Sequence, residues 1–302
     1  MKESICAVVT TYFPDEAFLD NMERVASQVA AIIVVDNTAS EASRKVLAKL
    51  QTASQKVIIL SNDKNEGTVK ALNQGIWRAQ ELGYQWVLTL DQDSLIDPNL
   101  IQTYLNFIKG YPDLKTLGII NSNYKDKETR MLGFSARTPH KNGWAEVLTL
   151  ITSGSFFSIE TFKEIGPMRE EFFMDWADYD FCLRSRELGK HNFVYIQPLI
   201  IHSVGAKTLH KVLFFDLPAN NHNSFRCYLI GRNLTVLIKE YFLKEFPAAM
   251  FYIVILFYKV FSVLLWERKR AVKLKNFFLG MKDGIFNKMN GHWNFLNDKR
   301  YA

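Results

Sequence analysis

At 302 residues, with 48% hydrophobic and 14% aromatic content, the chain is a folded protein large enough for an α/β domain plus an appendage or for two small domains, and neither disordered nor low-complexity. Its net charge of +6 is uneven: residues 239–302 hold 12 Lys and Arg against 5 Asp and Glu, and the other 238 residues hold 25 against 26. A basic segment rich in Phe, Leu and Ile points to an anionic membrane surface rather than to nucleic acid.

Polar Met1-Lys2-Glu3-Ser4 runs straight into the β-branched stretch Ile5–Thr11, with no leader-like segment, so a cytoplasmic location is expected. Ile5–Thr11 reads as a buried parallel strand, residues 15–29 as a helix, and Ala31–Val35 as a second strand stopped by Asp36-Asn37. A helix over 40–51, a strand at Val57–Leu60, a helix over 67–82 and a strand at Trp86–Leu90 follow, the last ending in Asp91-Gln92-Asp93. This βα alternation predicts a parallel sheet with right-handed crossovers, whose ligand sits outside the carboxyl ends of the strands. Asp36 and Asp91 both fall at such ends.

Residues 97–110 read as a helix and Leu117–Asn121 as a strand, while 122–148 is polar and turn-rich, an expected mobile or acceptor-facing stretch. Ser153-Gly154-Ser155-Phe156-Phe157 opens a second block, of small residues, a strand and a helix. Phe193–Ile201 is a strand leading into His202, and from Asn223 the chain is helical to about 290. Cys6, Cys182 and Cys227 lie far apart without metal-like spacing, as expected of buried thiols in a reducing compartment.

Alternate residues of an extended segment point the same way, so Asp91 and Asp93 can reach one site and hold a hard divalent cation. Asp36 can accept from a pyrimidine imide N–H, or cap the helix that starts near Ser40. Asn65-Glu66-Gly67 opens a helix whose N-terminus suits a diphosphate. Asn73 and Gly75 inside that helix cost propensity and imply a packing or functional need. The absence of GxGxxG argues against a dinucleotide cofactor. The absence of a Gly-rich basic loop around Thr10-Thr11-Tyr12-Phe13-Pro14 argues against a nucleotidyltransferase. Asp175, Asp178 and Asp180 stand among aromatics, where a partly buried aspartate serves as a base toward a sugar hydroxyl, or caps a helix and pairs with Arg184. His202 after a strand can supply a nitrogen ligand to the same cation.

In this order the motifs Val34-Val35-Asp36-Asn37, Asn65-x-Gly67 with Asn73-x-Gly75, Leu90-Asp91-Gln92-Asp93-Ser94, Ser153-Gly154, Gly166…Phe173-x-Asp175-x-x-Asp178-x-Asp180, His202-x-x-Gly205 and Tyr228-x-x-x-Arg232-Asn233 resemble the family 2 glycosyltransferases. The Asp-Gln-Asp-Ser spelling resembles their bacterial L-rhamnosyltransferase branch. The resemblance implies a GT-A fold, a Rossmann-like mixed α/β sheet, with a helical C-terminal extension. It implies donor contacts from Thr10, Asp36, Asn65, Gly67, Asn73, Asp91, Gln92 and Gly154, with Mg2+ or Mn2+ at Asp93 and His202. Asp178 would be the general base. The family's Glu-Asp pair here begins with Ala177, which leaves the supporting acidic role to Asp175 or Asp180. The implied reaction is inverting transfer, with dTDP-β-L-rhamnose the expected donor and a glycan or lipid-linked oligosaccharide the acceptor.

Pro247–Trp266 is apolar except for Lys259 and Ser262, and Arg268-Lys269-Arg270 follows it. A mid-segment lysine costs roughly 2.5–3.5 kcal/mol on insertion scales. Val272–Trp293 mixes Phe277, Phe278, Ile285 and Phe286 with lysines, as in-plane amphipathic helices do. The expected organisation is a glycosyltransferase domain over 1–235 and a membrane-associating helical region over 236–302. The latter would be peripheral on the inner leaflet, with a spanning helix or an oligomer interface as alternatives.

Overall fold

The computed structural model describes residues 4–289 except 39, 136, 204, 206, 213 and 214. The last part of the expected amphipathic stretch, Trp293 included, lies outside the described residues. The chain packs as two compact units, Met1–Glu170 with Asp178–His202, and Glu171–Ala177 with Ser203–Ala302.

The first unit begins with β1 (Ile5–Thr11), α1 (Glu16–Ala26), β2 (Ala31–Asp36), α2 (Glu41–Ala53), β3 (Val57–Ser61), α3 (Thr68–Glu81) and β4 (Trp86–Asp91). Both β1 and β2 are buried along their whole length, which is why they read as continuous apolar runs instead of alternating ones. Asp15 caps α1 through the N–H of Phe18, and Ser40 caps α2 through that of Ser43. After β4 come β5 (Leu95–Ile96), α4 (Leu100–Gly110), β6 (Leu117–Asp126), β7 (Trp144–Val147), β8 (Phe156–Ser158), α5 (Ile159–Ile165), α6 (Ala177–Glu187) and β9 (His191–His202).

These strands form one mixed sheet in the order β3-β2-β1-β4-β8-β6-β9-β5, with β7 on β9. The first four are mutually parallel; β8 then runs antiparallel to β4 and to β6. The strand order reverses between β1 and β4, the position at which open α/β sheets bind ligands. The α/β fold class and the helical C-terminal region are as the resemblance implies.

Two local expectations are sharpened. Residues 122–148 are not all irregular: β6 continues to Asp126 and Trp144–Val147 forms β7. Polar residues sit in a buried strand there because they meet their hydrogen bonds internally: Asn123 Nδ2 donates to Phe134 O and Ile196 O, and Ser122 Oγ to Gln197 O. The interior Asn and Gly of α3 serve packing. A Cβ on Gly75 would overlap Val8 Cγ1 and come within 3.2 Å of Val35 Cγ2, so only glycine lets α3 lie this close to β1 and β2. Asn73 is wholly buried, donating to Met168 O at 2.8 Å and accepting from Met168 N at 3.0 Å.

The second unit holds the hairpin β10 (Thr208–Val212) and β11 (Phe215–Ala219), then α7 (Ser224–Tyr241), α8 (Phe246–Leu265) and α9 (Arg270–Ile285). Glycines let α7 and α9 meet backbone to backbone: a Cβ on Gly231 would overlap Phe277 O, and one on Gly280 would overlap Tyr228 O. Arg232, fully buried, donates to the carbonyls of Glu171 and Met289, while Asn233 Nδ2 donates to those of Phe172, Met174 and Asp175. The Arg-Asn pair of α7 thus clamps the segment Glu171–Ala177.

Candidate active site

β4 delivers Asp91 at its carboxyl end, two residues before Asp93, and β9 delivers His202 at its own. The three side chains each offer a ligand atom, and these atoms lie within 4.8 Å of one another. His202 Nε2 is 3.6 Å from Asp91 Oδ2, and Nδ1 is 3.3 Å from Asp93 Oδ1. Two carboxylate oxygens and one imidazole nitrogen suit Mn2+, and with water and phosphate oxygens in the remaining positions also Mg2+. The donor set therefore fits a divalent cation, and Asp93 is exposed, so the cluster opens to solvent. Asp91 stands with Asp93 and His202 in this cluster.

Four consecutive residues, Thr152–Ser155, tie β4 to the rest of the site. Thr89, two residues before Asp91, donates its hydroxyl to Thr152 O at 2.6 Å. Gly154 N donates to Thr89 O at 2.8 Å, and Thr89 N to Ser155 O at 2.9 Å. The Ser153 and Ser94 hydroxyls are hydrogen-bonded, and Ser94 Oγ lies 3.1 Å from His202 Nδ1. Thr152 closes the set: its N–H donates to Asp178 Oδ2 at 2.9 Å and its hydroxyl to the same oxygen at 3.2 Å. Asp178 is partly buried at the start of α6, and burial together with the Asp178 charge pushes the Tyr179 phenol up, so that ring stays neutral. Tyr124 is likewise pushed up by burial, with Asp126 and Asp178 adding.

The three aspartates expected near the base have different surroundings. Asp180 is buried and paired with Arg184 at 2.8 Å and Arg169 at 3.6 Å. Asp175 belongs to the second unit, where Arg226 grips both its oxygens at 2.7 and 2.8 Å. Asp178 is tied, through Thr152, to the strand that carries Asp91.

At the carboxyl ends of β1 and β2, Thr10 pairs in register with Val35 on one side and Asp91 on the other. Asp36 is buried and accepts from the Thr11 hydroxyl and the Thr38 N–H, each at 3.1 Å. The Gln92 side chain grips the backbone of Tyr12, accepting from its N–H at 2.8 Å and donating to its carbonyl at 3.0 Å. Tyr12 and Phe13 stand exposed beside this tie, their rings edge to face at 4.6 Å. Asn65 accepts from Gly67 N at 2.9 Å, and Gly67 O accepts from Asn37 Nδ2 at 3.1 Å, which ties the start of α3 to the end of β2. Gly154, at φ +89°, packs where a Cβ would overlap Ile200 Cδ1. Asn73 is buried and bonded to Met168 and Glu170. Thr152 and the exposed Tyr12–Phe13 pair were not singled out in the sequence; the contacts of Thr152 are partly backbone contacts, which leave no side-chain signature.

The family described as "Glycosyl transferase family 2" matches residues 6–165, which span β1 to α5. Over nearly its full length the chain is similar to the dTDP-rhamnosyl transferase RfbF of Shigella flexneri, 27% identical and covering 94% of this chain and 96% of that protein. Among solved structures it resembles S. aureus TarS 1–349, with TM-score 0.56, 12% identity, and 95% of this chain and 82% of that one covered. It also resembles the mannosyltransferase PcManGT from Pyrobaculum calidifontis in complex with GDP-Man and Mn2+, with TM-score 0.56, 11% identity and coverage of 99% and 81%. Those two structures speak for the GT-A fold alone. With more than half of its residues matched by the family and an acidic cluster at the end of β4, the chain belongs to glycosyl transferase family 2.

Proposed function

We propose that this glycosyltransferase moves L-rhamnose from dTDP-β-L-rhamnose, with inversion, onto a hydroxyl of a growing cell-surface glycan. The observation that carries the reading is the hydrogen-bonded path from Asp178 through Thr152 to Thr89 on the strand of Asp91, which fixes a base relative to a cation-binding cluster. The choice of sugar is supported by likeness to RfbF along 94% of the chain.

In this reading the nucleoside base lies at the carboxyl ends of β1 and β2, where Asp36 accepts from its imide N–H and the exposed Tyr12 ring offers it a flat face. Asp91, Asp93 and His202 hold a divalent cation, which when bound neutralises the departing diphosphate. Asp178 takes the proton of the acceptor hydroxyl as that oxygen bonds to the anomeric carbon. The bond from that carbon to the diphosphate breaks, and dTDP leaves with the electron pair. The transition state has oxocarbenium character. Thr152, by donating twice to one oxygen of Asp178, orients the carboxylate toward the proton it accepts.

The test is a panel of nucleotide sugars (dTDP-rhamnose, dTDP-glucose, UDP-glucose, UDP-N-acetylglucosamine and GDP-mannose) in thermal shift with Mn2+, followed by release of nucleoside diphosphate with acceptor present. Selective stabilisation and turnover with dTDP-rhamnose is the expected result. Preference for another sugar would move the donor assignment. Binding of any donor without turnover would make the chain a donor-binding protein and overturn the catalytic reading.

A further inference from the structure

Helix α8 is long and apolar enough to cross a bilayer by composition, yet its exposed and buried faces differ sharply. Phe251, Val254, Phe257, Phe261 and Leu264 recur at intervals of three and four residues and are all exposed, Val254 at 63% and Phe257 at 72%. Phe246, the first residue of the helix, and Leu243 just before it are exposed as well. Single exposed apolar residues need no explanation, but a continuous stripe along a helix of about 30 Å does.

Lys259 does not interrupt that stripe. It lies on the opposite face with Tyr252 and Ser262, 6% exposed, its Nζ 2.8 Å from Glu267 Oε1. Lys273 of α9 holds the other carboxylate oxygen at 2.6 Å. A helix threaded across a bilayer would present all its faces to lipid or to other spanning helices. The polar face of α8 is instead committed to Glu267, just past the helix, and to α9. An in-plane helix immerses only its stripe and leaves that triad undisturbed.

The charges around the stripe indicate what covers it. Arg268, Lys269 and Arg270 follow α8 directly and are exposed, as are Lys275 and Lys282 on α9, where they alternate with exposed Val272, Phe278 and Ile285. Between Phe246 and Leu265 the helix carries no acidic residue, and residues 239–302 together carry 12 basic against 5 acidic groups. In a two-fold contact the same surface meets itself, which would bring these cations toward their own copies. Anionic headgroups complement them.

We propose that α8 lies flat on an anionic bilayer leaflet, its Phe251–Leu264 stripe in the acyl boundary and Arg268–Arg270 against headgroup phosphates. The surface belongs to the second unit and holds whether or not the donor is rhamnose. It also makes a lipid-linked acceptor the natural substrate class, because such an acceptor is confined to the same plane.

The test is flotation of the full chain with vesicles of phosphatidylcholine, with and without phosphatidylglycerol. The expected result is flotation with phosphatidylglycerol vesicles, lost as salt is raised. Phe257→Asp with Phe261→Asp should weaken it about tenfold or more, and so should Arg268→Glu with Lys269→Glu and Arg270→Glu. Both variants should keep wild-type circular dichroism and nucleotide binding. Because Lys259 faces inward, Lys259→Met should leave flotation unchanged. The proposal is overturned if the intact chain stays with the soluble fraction or if bound protein resists alkaline carbonate extraction as a spanning helix does. It is equally overturned if light scattering without lipid finds a dimer that Phe257→Asp splits.

Discussion

The Ser94 hydroxyl lies 3.1 Å from Nδ1 of His202, wholly buried, and is itself hydrogen-bonded to Ser153. A hydroxyl on Nδ1 fixes the ring, and leaves Nε2 facing Asp91 Oδ2. Partners that orient a ligating imidazole are worth roughly 10–100-fold in metal affinity. Ser94→Ala should therefore weaken Mn2+ binding by about that factor, read by paramagnetic resonance titration without donor. Affinity for dTDP in the presence of chelator should be unchanged. Unaltered Mn2+ affinity in the variant would deny Ser94 this positioning role.

Asp178→Asn should lower transfer by about 10²–10⁴ while leaving donor affinity intact, the loss that follows removal of a general base. Thr152→Val should also lower kcat, by less, because one of the two bonds to Asp178 Oδ2 comes from the Thr152 backbone and survives. Asp180→Asn is a contrast: that carboxylate is buried between Arg184 and Arg169, so its loss should show as reduced thermal stability. Near-wild-type turnover in Asp178→Asn would move the base elsewhere.

The parallel half of the sheet was legible because strands buried on both faces are written as unbroken apolar runs, and Asp91 and Asp93 because alternate residues share a side. The antiparallel half was less so. Ser122 and Asn123 have the composition of a loop, yet they occupy β6, since their side chains satisfy backbone groups at its irregular register. The partner of Asp175 lies 51 residues away on α7, beyond any local pattern. Lys259 shows another limit: a hydropathy window averages around a helix, so it registers a charge without telling which face holds it.

Gly75→Ala tests the packing reading of α3. In an exposed helix this change stabilises by about 1 kcal/mol, since glycine is the poorer helix former. Here the added Cβ meets Val8 of β1, and overpacking of this kind costs about 1–3 kcal/mol. Urea unfolding should show a net loss of stability, with the donor affinity of the folded fraction unchanged. A more stable variant would mean that the helix can move off the sheet freely.

His222 gives the pH dependence a specific origin. It is buried in the second unit, and neither ring nitrogen has a hydrogen-bond partner among the described residues. Burial holds its pKa well below the ordinary 6.5, and the charges of Arg226, Lys259, Lys273 and Lys207 lower it further. Between that depressed value and 6.5 the unfolded chain binds a proton that the folded chain refuses, so stability falls as pH drops below about 6.5, by at most about 1.4 kcal/mol per pH unit for one group. Glu267 acts in a lower window. Burial raises its carboxyl, but the hydrogen bonds and charges of Lys259 and Lys273 outweigh this and hold it below 4.5. Its contribution is complete above the unfolded value and is lost as pH falls through the folded one. Melting temperature should therefore decline from pH 7.5 to 5.5 in the wild type. His222→Phe, which keeps a ring but cannot be protonated, should flatten that decline and leave the acid limb below pH 4.5 in place. A slope unchanged by the substitution would place the titrating group on another residue.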